Sequence, residues 1–340
     1  MDVTMDTDNT SAPNTTTPTE DREGAVLMGV ITAAALFTNT FTLILFTKVK
    51  LNSFDIYLIN LLIVNLLYLV IACPLDMVHR LHLFNWPLSD ITCSVYLYTL
   101  WTLQYLLPYV HLLISFSRVW AVAFPVHYSR TATISRSVGL CAAVWLLAHV
   151  ITLPGLLLDE WLYRRPINVY GCQVNLDTVW SQKIWLQFLQ IQGAMCEALL
   201  LLVYPYIRFK KRQRDKLANA RQNSRMGSEN RSREHMQLVA KNHSGECHSD
   251  GSMAATASKS SQSSYAFLLL TLLTFSLFLL WTPNIAYFLL LSVADIPYDP
   301  VVANVVILLF NVQIILDPVL FFLAMGHLRT AASDMLRKVF

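Results

Sequence analysis

The chain has 340 residues, of which 55% are hydrophobic and only 14% charged, and its net charge is +3. About a quarter of the residues in a typical soluble domain are charged, so this composition argues against an ordinary soluble protein. Seven mostly apolar segments, which we call spans one to seven, are each long enough to cross a hydrocarbon core about 30 Å thick. They lie at 25–47, 56–78, 94–122, 137–158, 184–207, 264–292 and 300–323. The predicted fold class is an all-α membrane protein with a seven-transmembrane helix bundle at 25–323.

The distribution of basic residues predicts the orientation, because Lys and Arg near the span ends stay on the cytoplasmic side. If residues 1–24 are extracellular, all but five of the 25 Lys and Arg residues fall on the cytoplasmic side. The five exceptions are Arg22, Arg80, Arg164, Arg165 and Lys183. We therefore predict a multi-pass plasma-membrane protein with an extracellular amino terminus.

Residues 1–24 are polar, rich in threonine, and contain glycosylation sequons at Asn9 and Asn14. This composition predicts a disordered, glycosylated extracellular segment. No cleavable signal peptide is recognisable before span one, so that span is expected to direct its own insertion.

Two cytoplasmic segments differ in pattern. Residues 208–263 contain few large apolar side chains, which predicts a mobile loop. The basic opening at 208–216 either extends the fifth helix towards lipid headgroups or a partner, or is only a solvated stop signal. Residues 324–340 predict an amphipathic helix on the inner membrane face. Its apolar residues at helical spacing are Leu328, Ala332, Met335, Leu336 and Val339.

Among the six cysteines, Cys93 and Cys172 alone fall at predicted extracellular positions. The extracellular side is oxidising, so these two thiols are predicted to form a disulfide. Cys73, Cys141 and Cys196 lie within spans and are interpreted as packing residues.

Catalytic signatures are missing from the sequence, which has no Gly-rich phosphate loop, nucleophile elbow or zinc motif. We expect no enzymatic activity, no cofactor and no nucleic-acid partner. His111 and His149 are single imidazoles within spans and are interpreted as helix-packing or lipid-facing residues rather than metal ligands. Glu197 in span five is either a pocket or packing residue or a protonated acid facing another helix.

Landmark residues follow one another along the spans. They are Asn39 in "LFTNTF", Asn60 and Leu61 in "INLLIVN", Trp86, Cys93, Arg118, Trp145, Trp281 and Pro283 in "LWTP", and Asp317 to Phe321 in "DPVLF". In this order and spacing the chain resembles the rhodopsin-like (class A) G-protein-coupled receptors from residue 25 onward. The resemblance implies a receptor with an unknown extracellular ligand, surrounded by membrane lipids, that signals to a heterotrimeric G protein.

The chain departs from the pattern of that family at several switch positions. Ser117, Arg118 and Val119 stand where the family has Asp-Arg-Tyr, and Asn65 stands where it has an aspartate. Asp317 and Phe321, on either side of Pro318, replace the usual Asn and Tyr.

The acid and the amide of the family are therefore exchanged between spans two and seven, which predicts a shared polar centre. Either Asp317 is hydrogen-bonded to Asn65, or it holds a sodium ion, as the resemblance implies. The exchange, together with "NLLYLVIACPLD" in span two, also resembles the gonadotropin-releasing-hormone receptors.

The resemblance places the ligand site between spans three, five, six and seven. Leu100 stands where amine receptors carry an aspartate, and Asn311 where opsins carry the retinal-binding lysine. Apolar walls with a few amides suit a peptide, a lipid or a neutral small molecule. The predicted ligand-binding residues are Leu100, Trp101, Gln104, Phe188, Gln192, Trp281, Asn284, Phe288 and Asn311.

Arg118 lacks both of the acids that restrain this arginine in the family. Its preceding residue is Ser117, and the matching part of span six, "SKSSQSSYAF", contains no acid. Arg118 is then left with serine hydroxyls, backbone carbonyls or water, which predicts some ligand-independent signalling. The alternative is a non-signalling or weakly signalling interaction or trafficking protein of the same fold.

Overall fold

The structure, a computed structural model, describes residues 22–82, 85–176, 178–240, 254–294, 296–297 and 299–339. Within these ranges seven helices are long and apolar enough to cross a membrane, which confirms the predicted fold class. Spans one to four are Arg22–Phe46, Ser53–His82, Asp90–Ala123 and Ile134–Tyr163. Spans five and six lie within the helices Trp180–Ala240 and Ala254–Val293, and span seven is Pro300–Ala324. The sequons at Asn9 and Asn14, and Cys247, lie outside the described residues.

Side-chain caps set the starts of several spans. Asn52 Oδ1 accepts hydrogen bonds from the backbone N–H groups of Phe54 and Asp55, while Asp55 Oδ2 accepts one from Asn52 N at 2.9 Å. This reciprocal capping box satisfies backbone donors that would otherwise be unpaired at the start of span two. Asp299 caps span seven by accepting hydrogen bonds from the backbone N–H groups of Val301 and Val302, and Pro300 lies in the first turn.

Span three lies inside the bundle and packs against spans two, four and five. Span six packs against spans five and seven, and span seven against span one. Hydrogen bonds from landmark side chains also link two pairs of spans. Trp145 Nε1 donates to Asn60 Oδ1 at 2.9 Å, and Asn39 Nδ2 donates to the Ile314 carbonyl at 2.9 Å. The landmarks therefore join span four to span two and span one to span seven.

The segment that follows span five differs from the prediction in its backbone. The helix that contains span five continues to Ala240, and the next helix begins at Ala254 rather than near residue 264. Arg, Lys, Gln and Ala are good helix formers, and no proline follows Pro205 in this helix. The low content of apolar residues therefore did not predict where the helix that contains span five ends. The mobility of residues 208–263 stays a prediction.

A short helix, Gly326–Val339, follows span seven, as predicted. Leu328 and Ala332 are buried against the bundle core, with Met335 partly buried beside them. Leu336, which we assigned to the same apolar face, is 54% exposed. The bundle thus covers only part of the predicted apolar face.

Candidate functional site

The start of span three carries the predicted disulfide between Cys93 and Cys172. We call this end of the bundle the disulfide end, and the end at which span three finishes the arginine end. Trp86 stacks on Tyr96 with ring centroids 5.5 Å apart, in the same buried cluster as the two cysteines. The segment between spans four and five is therefore tied to span three.

A buried carboxylate supports this tie. Asp159, at 0% exposure, accepts hydrogen bonds from Arg164 Nε and from the backbone N–H of Asn175, both at 3.0 Å. Arg164 also donates to Ser94 Oγ of span three at 2.6 Å. Paired, hydrogen-bonded charges can be buried where an isolated one cannot. This network holds the segment on both sides of Cys172.

We expect Cys93→Ser to lower surface expression of the full chain severalfold, because a disulfide that closes a long loop typically contributes about 2–4 kcal/mol. Antibody labelling of intact cells measures the effect. Cys141→Ser, which changes a buried free thiol, is the matched control. If the disulfide is the cause, Cys93→Ser with Cys172→Ser should be no worse than either single change, and full additivity would contradict it.

The predicted ligand residues do not all share one environment. Trp101 stacks on Tyr105 with centroids 6.1 Å apart, and Trp281 stacks on Phe310 at 5.4 Å. Asn284 and Asn311 are buried, whereas Phe188 is 52% exposed. Leu100, Gln104, Gln192 and Phe288 are half-buried. Phe188 is thus the predicted ligand residue that the bundle encloses least.

Asn311 has a buried amide oxygen without a hydrogen-bond partner among the described residues, and three further residues of the set have buried nitrogens without one. They are the indole nitrogens of Trp101 and Trp281 and the amide nitrogen of Asn284. Buried donors in folded proteins are nearly always paired, and an unpaired one costs about 1–3 kcal/mol. A ligand with carbonyl or hydroxyl oxygens, or ordered water, can accept these hydrogen bonds.

The polar centre differs from the predicted pairing of Asn65 with Asp317. Asn65 Nδ2 donates to Asn39 Oδ1 of span one at 3.1 Å. Asp317 Oδ1 instead accepts from Gln313 Nε2 at 2.6 Å and lies 3.3 Å from His111 Nε2. His111 and Asp317 are both 1% exposed. The partner of the exchanged acid is therefore a histidine on span three.

Glu197 joins spans five and six, because its carboxylate accepts a short hydrogen bond from Thr282 Oγ1. Thr282 lies between Trp281 and Pro283, and Glu197 is 7% exposed. Of the two interpretations of Glu197, the structure favours the acid that faces another helix. An acid in this position couples span five to the "LWTP" segment.

At the arginine end, Ser117 Oγ donates to the carbonyl of Ile114 in its own helix at 2.8 Å. Arg118 Cζ lies 3.0 Å from the centroid of the Phe54 ring, a cation–π contact across to span two. Arg118 Nε has no hydrogen-bond partner among the described residues. The expectation that Arg118 meets only hydroxyls, carbonyls or water was therefore wrong.

An acid near Arg118 also comes from span two. Asp55 is 0% exposed, and its carboxylate, like Tyr128, lies within electrostatic range of the Arg118 guanidinium, without a direct ion pair between Asp55 and Arg118 among the described residues. Asp55 Oδ1 lies 3.6 Å from His327 Nε2 of the helix Gly326–Val339. The last helix thus faces this buried carboxylate directly, while Arg118 of span three lies within its electrostatic range.

The other switch residues occupy different surroundings. Val119 packs against the buried Val203 and Ile207 of span five. Phe321 is 0% exposed in the main core, and Pro318 lies within span seven. The predicted switch residues thus lie in two separate places, the arginine end and the polar centre.

The sequence reasoning missed two residues of this site. His111 was interpreted as a packing or lipid-facing residue, and Asp55 was not singled out. The signal for Asp55 was the Asn-x-x-Asp spacing at Asn52, which marks a helix start and so places the acid at the membrane boundary. The signal for His111 was an ionisable side chain deep within a span, which is expensive unless it has a partner.

Comparison with known proteins agrees with this geometry. Residues 39–321 match the family of seven-transmembrane receptors of the rhodopsin family. The human cysteinyl leukotriene receptor 1 is 28% identical over 135 residues, which are 39% of this chain and 40% of that receptor. The rabbit 5-hydroxytryptamine receptor 1D is 27% identical over 208 residues, or 57% of this chain and 50% of the receptor. Rat proteinase-activated receptor 2 is 29% identical over 117 residues, or 34% and 29%.

Each alignment spans half or less of the length of the relative, so the ligands of these relatives are not assigned to this chain. None of these three is a gonadotropin-releasing-hormone receptor, and that narrower resemblance stays a prediction. The family match, in contrast, runs from span one to span seven and includes the landmarks from Asn39 to Phe321. The chain therefore belongs to the rhodopsin family of seven-transmembrane receptors.

Proposed function

We propose that this multi-pass membrane receptor signals to a heterotrimeric G protein through its arginine end, with and without ligand. Arg118 carries the proposal. Its guanidinium rests on the Phe54 ring and its Nε is unpaired, while the neighbouring Ser117 turns back onto its own helix. A restraint by one ring and one acid is weaker than a direct ion pair with the preceding residue. The Arg118 guanidinium is therefore able to leave the Phe54 ring and contact a G protein.

The proposed orientation puts the disulfide end and residues 1–24 outside the cell. The excess of Lys and Arg at the arginine end supports it, because such residues are retained on the cytoplasmic side. The disulfide supports it as well, since extracellular surroundings allow the bond to persist. The ligand then enters from the disulfide end.

The proposed ligand is a peptide, a lipid or a neutral small molecule with oxygen acceptors. The unpaired N–H groups of Trp101, Trp281 and Asn284 support acceptors on the ligand. The 5-hydroxytryptamine receptor among the relatives is named for a cationic amine. Leu100 provides no carboxylate for an amine, and an unpaired cation in this site would be costly.

The test is second-messenger output from cells that express the full chain without added ligand, read through each G-protein class. We expect a signal above mock-transfected cells that Arg118→Ala abolishes at equal surface expression. Arg136→Ala is the matched control, because Arg136 is an exposed basic residue whose guanidinium donates to the Thr131 carbonyl instead. The control should keep most of the signal.

The alternative is an interaction or trafficking protein of the same fold. Ser117, Val119 and Phe321 favour it, since each differs from the residue that the family uses in switching. The two functions give different results in the same assay. Output equal to mock cells for every G-protein class, from a receptor that reaches the surface, would reject the proposed signalling and leave the alternative.

A further inference from the structure

We propose that His111 is the built-in partner of Asp317, and that it fills the position beside this carboxylate that a metal cation would need. A carboxylate in the membrane interior requires a cation, a proton or hydrogen-bond donors to offset its lost hydration. The contacts of His111, Gln313 and Asp317 show which of these the chain supplies. The consequence is a receptor whose polar centre does not respond to sodium.

The imidazole is fixed at both nitrogens. His111 Nδ1 lies 3.0 Å from the Leu107 carbonyl, and because a carbonyl can only accept, Nδ1 carries a hydrogen. His111 Nε2 lies 3.3 Å from Asp317 Oδ1, so a second hydrogen must lie between these two atoms. With that hydrogen, on either atom, the pair has no net charge. It therefore has no excess negative charge with which to attract a sodium ion.

The surroundings of the carboxylate point the same way. Asp317 Oδ1 already accepts from Gln313 Nε2 at 2.6 Å, so donors approach it from two sides. Hard cations instead require a shell of about six oxygen ligands. The Asn65 amide donates through Nδ2 to Asn39 Oδ1 and makes no contact with Asp317 among the described residues.

Two oxygens are available as cation ligands. They are Asn65 Oδ1 and Gln313 Oε1, which are buried and without a hydrogen-bond partner among the described residues. Water can donate to both, since buried water typically satisfies such groups. Two carbonyl oxygens are too few to complete a cation shell, and Asp317 Oδ1 is already taken up by Gln313 Nε2 and by the hydrogen that lies between it and His111 Nε2. The residues at this centre thus do not fit a sodium ion.

The pair also contacts the aromatic core. The His111 ring meets Trp281 edge to face with centroids 5.0 Å apart, and Trp281 in turn stacks on Phe310. His111 is therefore a positioning residue that joins span three to spans six and seven. Span seven and residues 271–293 of span six contain no other Asp, Glu, Lys, Arg or His that could replace it.

The test is the thermal midpoint of the purified full chain at neutral pH, with sodium exchanged for N-methylglucamine at constant ionic strength. We expect the midpoint of the wild type to be the same in both salts. In His111→Asn the carboxylate loses its partner and gains space, so sodium should raise the midpoint. At about ten times the sodium dissociation constant, the rise should be about 2 °C.

Asp317→Asn combined with His111→Asn is the control and should lose the sodium effect. His111→Lys places a positive group beside Asp317 and should stay insensitive to sodium. A saturable, sodium-specific rise in the wild-type midpoint would overturn the inference, even if no variant folds. A His111→Asn receptor as insensitive as the wild type would overturn it too. The measurement needs neither ligand nor G protein, so its outcome is independent of the signalling test.

Discussion

Replacing Asp55 with asparagine is expected to raise ligand-independent signalling about fivefold at equal surface expression. The carboxylate of Asp55 attracts the Arg118 guanidinium towards span two, where the Phe54 ring lies against it. Loss of one charge partner changes such a balance by about 1 kcal/mol, and 1 kcal/mol is about a fivefold change in the ratio of two states. Second-messenger output per surface receptor measures the change.

The asparagine is chosen because Asp55 also closes the capping box with Asn52. An amide oxygen still accepts the Asn52 N–H, so Asp55→Asn removes the charge and preserves the cap. Asn52→Ala does the reverse, since it removes the cap and keeps the charge, and it should leave basal output near the wild-type level. Equal output from Asp55→Asn and the wild type would show that this carboxylate does not restrain Arg118.

Ser117→Asp tests the same restraint from the other side. An aspartate directly before Arg118 supplies the acid that the chain lacks at this position, and basal output should fall below that of the wild type. Phe54→Leu removes the ring beneath the guanidinium and should raise output, because a cation–π contact contributes about 0.5–2 kcal/mol. These substitutions separate the contribution of charge from that of the ring.

Most of the fold could be predicted from the sequence, because span length and apolar composition depend on the membrane rather than on detailed packing. Span one was expected at 25–47 and is Arg22–Phe46, and span seven was expected at 300–323 and is Pro300–Ala324. The Cys93–Cys172 disulfide followed from the side of the membrane alone. The end of the fifth helix did not follow, since polar residues such as Arg, Lys and Gln extend a helix as readily as they form a loop.

The side-chain partners within the site were much harder to predict. Asn65 and Asp317 were expected to pair because this chain exchanges the acid and the amide of the family between spans two and seven. In the structure Asn65 donates to Asn39, and Asp317 lies beside His111. Which of several buried polar groups meet depends on helix rotation and rotamers, and hydrophobic periodicity does not determine either. The same is true of Arg118, which contacts the Phe54 ring of another span.

Gly155→Ala is expected to destabilise the receptor relative to Gly139→Ala by about 2 kcal/mol, or about 3 °C in thermal midpoint. Both glycines lie in span four. A Cβ on Gly155 would overlap the indole of Trp185 in span five, whereas a Cβ on Gly139 meets nothing within 4 Å. Both substitutions gain the same helix propensity of about 1 kcal/mol, so their difference isolates the overlap.

Trp185 cannot easily move away from an added Cβ. Its indole N–H donates to the Ile151 carbonyl at 3.4 Å, and its ring lies 5.9 Å from that of Trp101. Gln182 of the same helix donates to the Gly155 carbonyl at 3.1 Å, so the two helix backbones are held close together. A displaced Trp185 would lose these contacts and also disturb Trp101, a predicted ligand residue. Gly155→Ala should therefore weaken ligand binding as well as stability.

Trp185→Leu in the Gly155→Ala background should recover part of the lost thermal midpoint, since the effects of substitutions at residues in contact are not additive. Equal midpoints for Gly155→Ala and Gly139→Ala would show that spans four and five do not approach as closely at Gly155 as the structure has them.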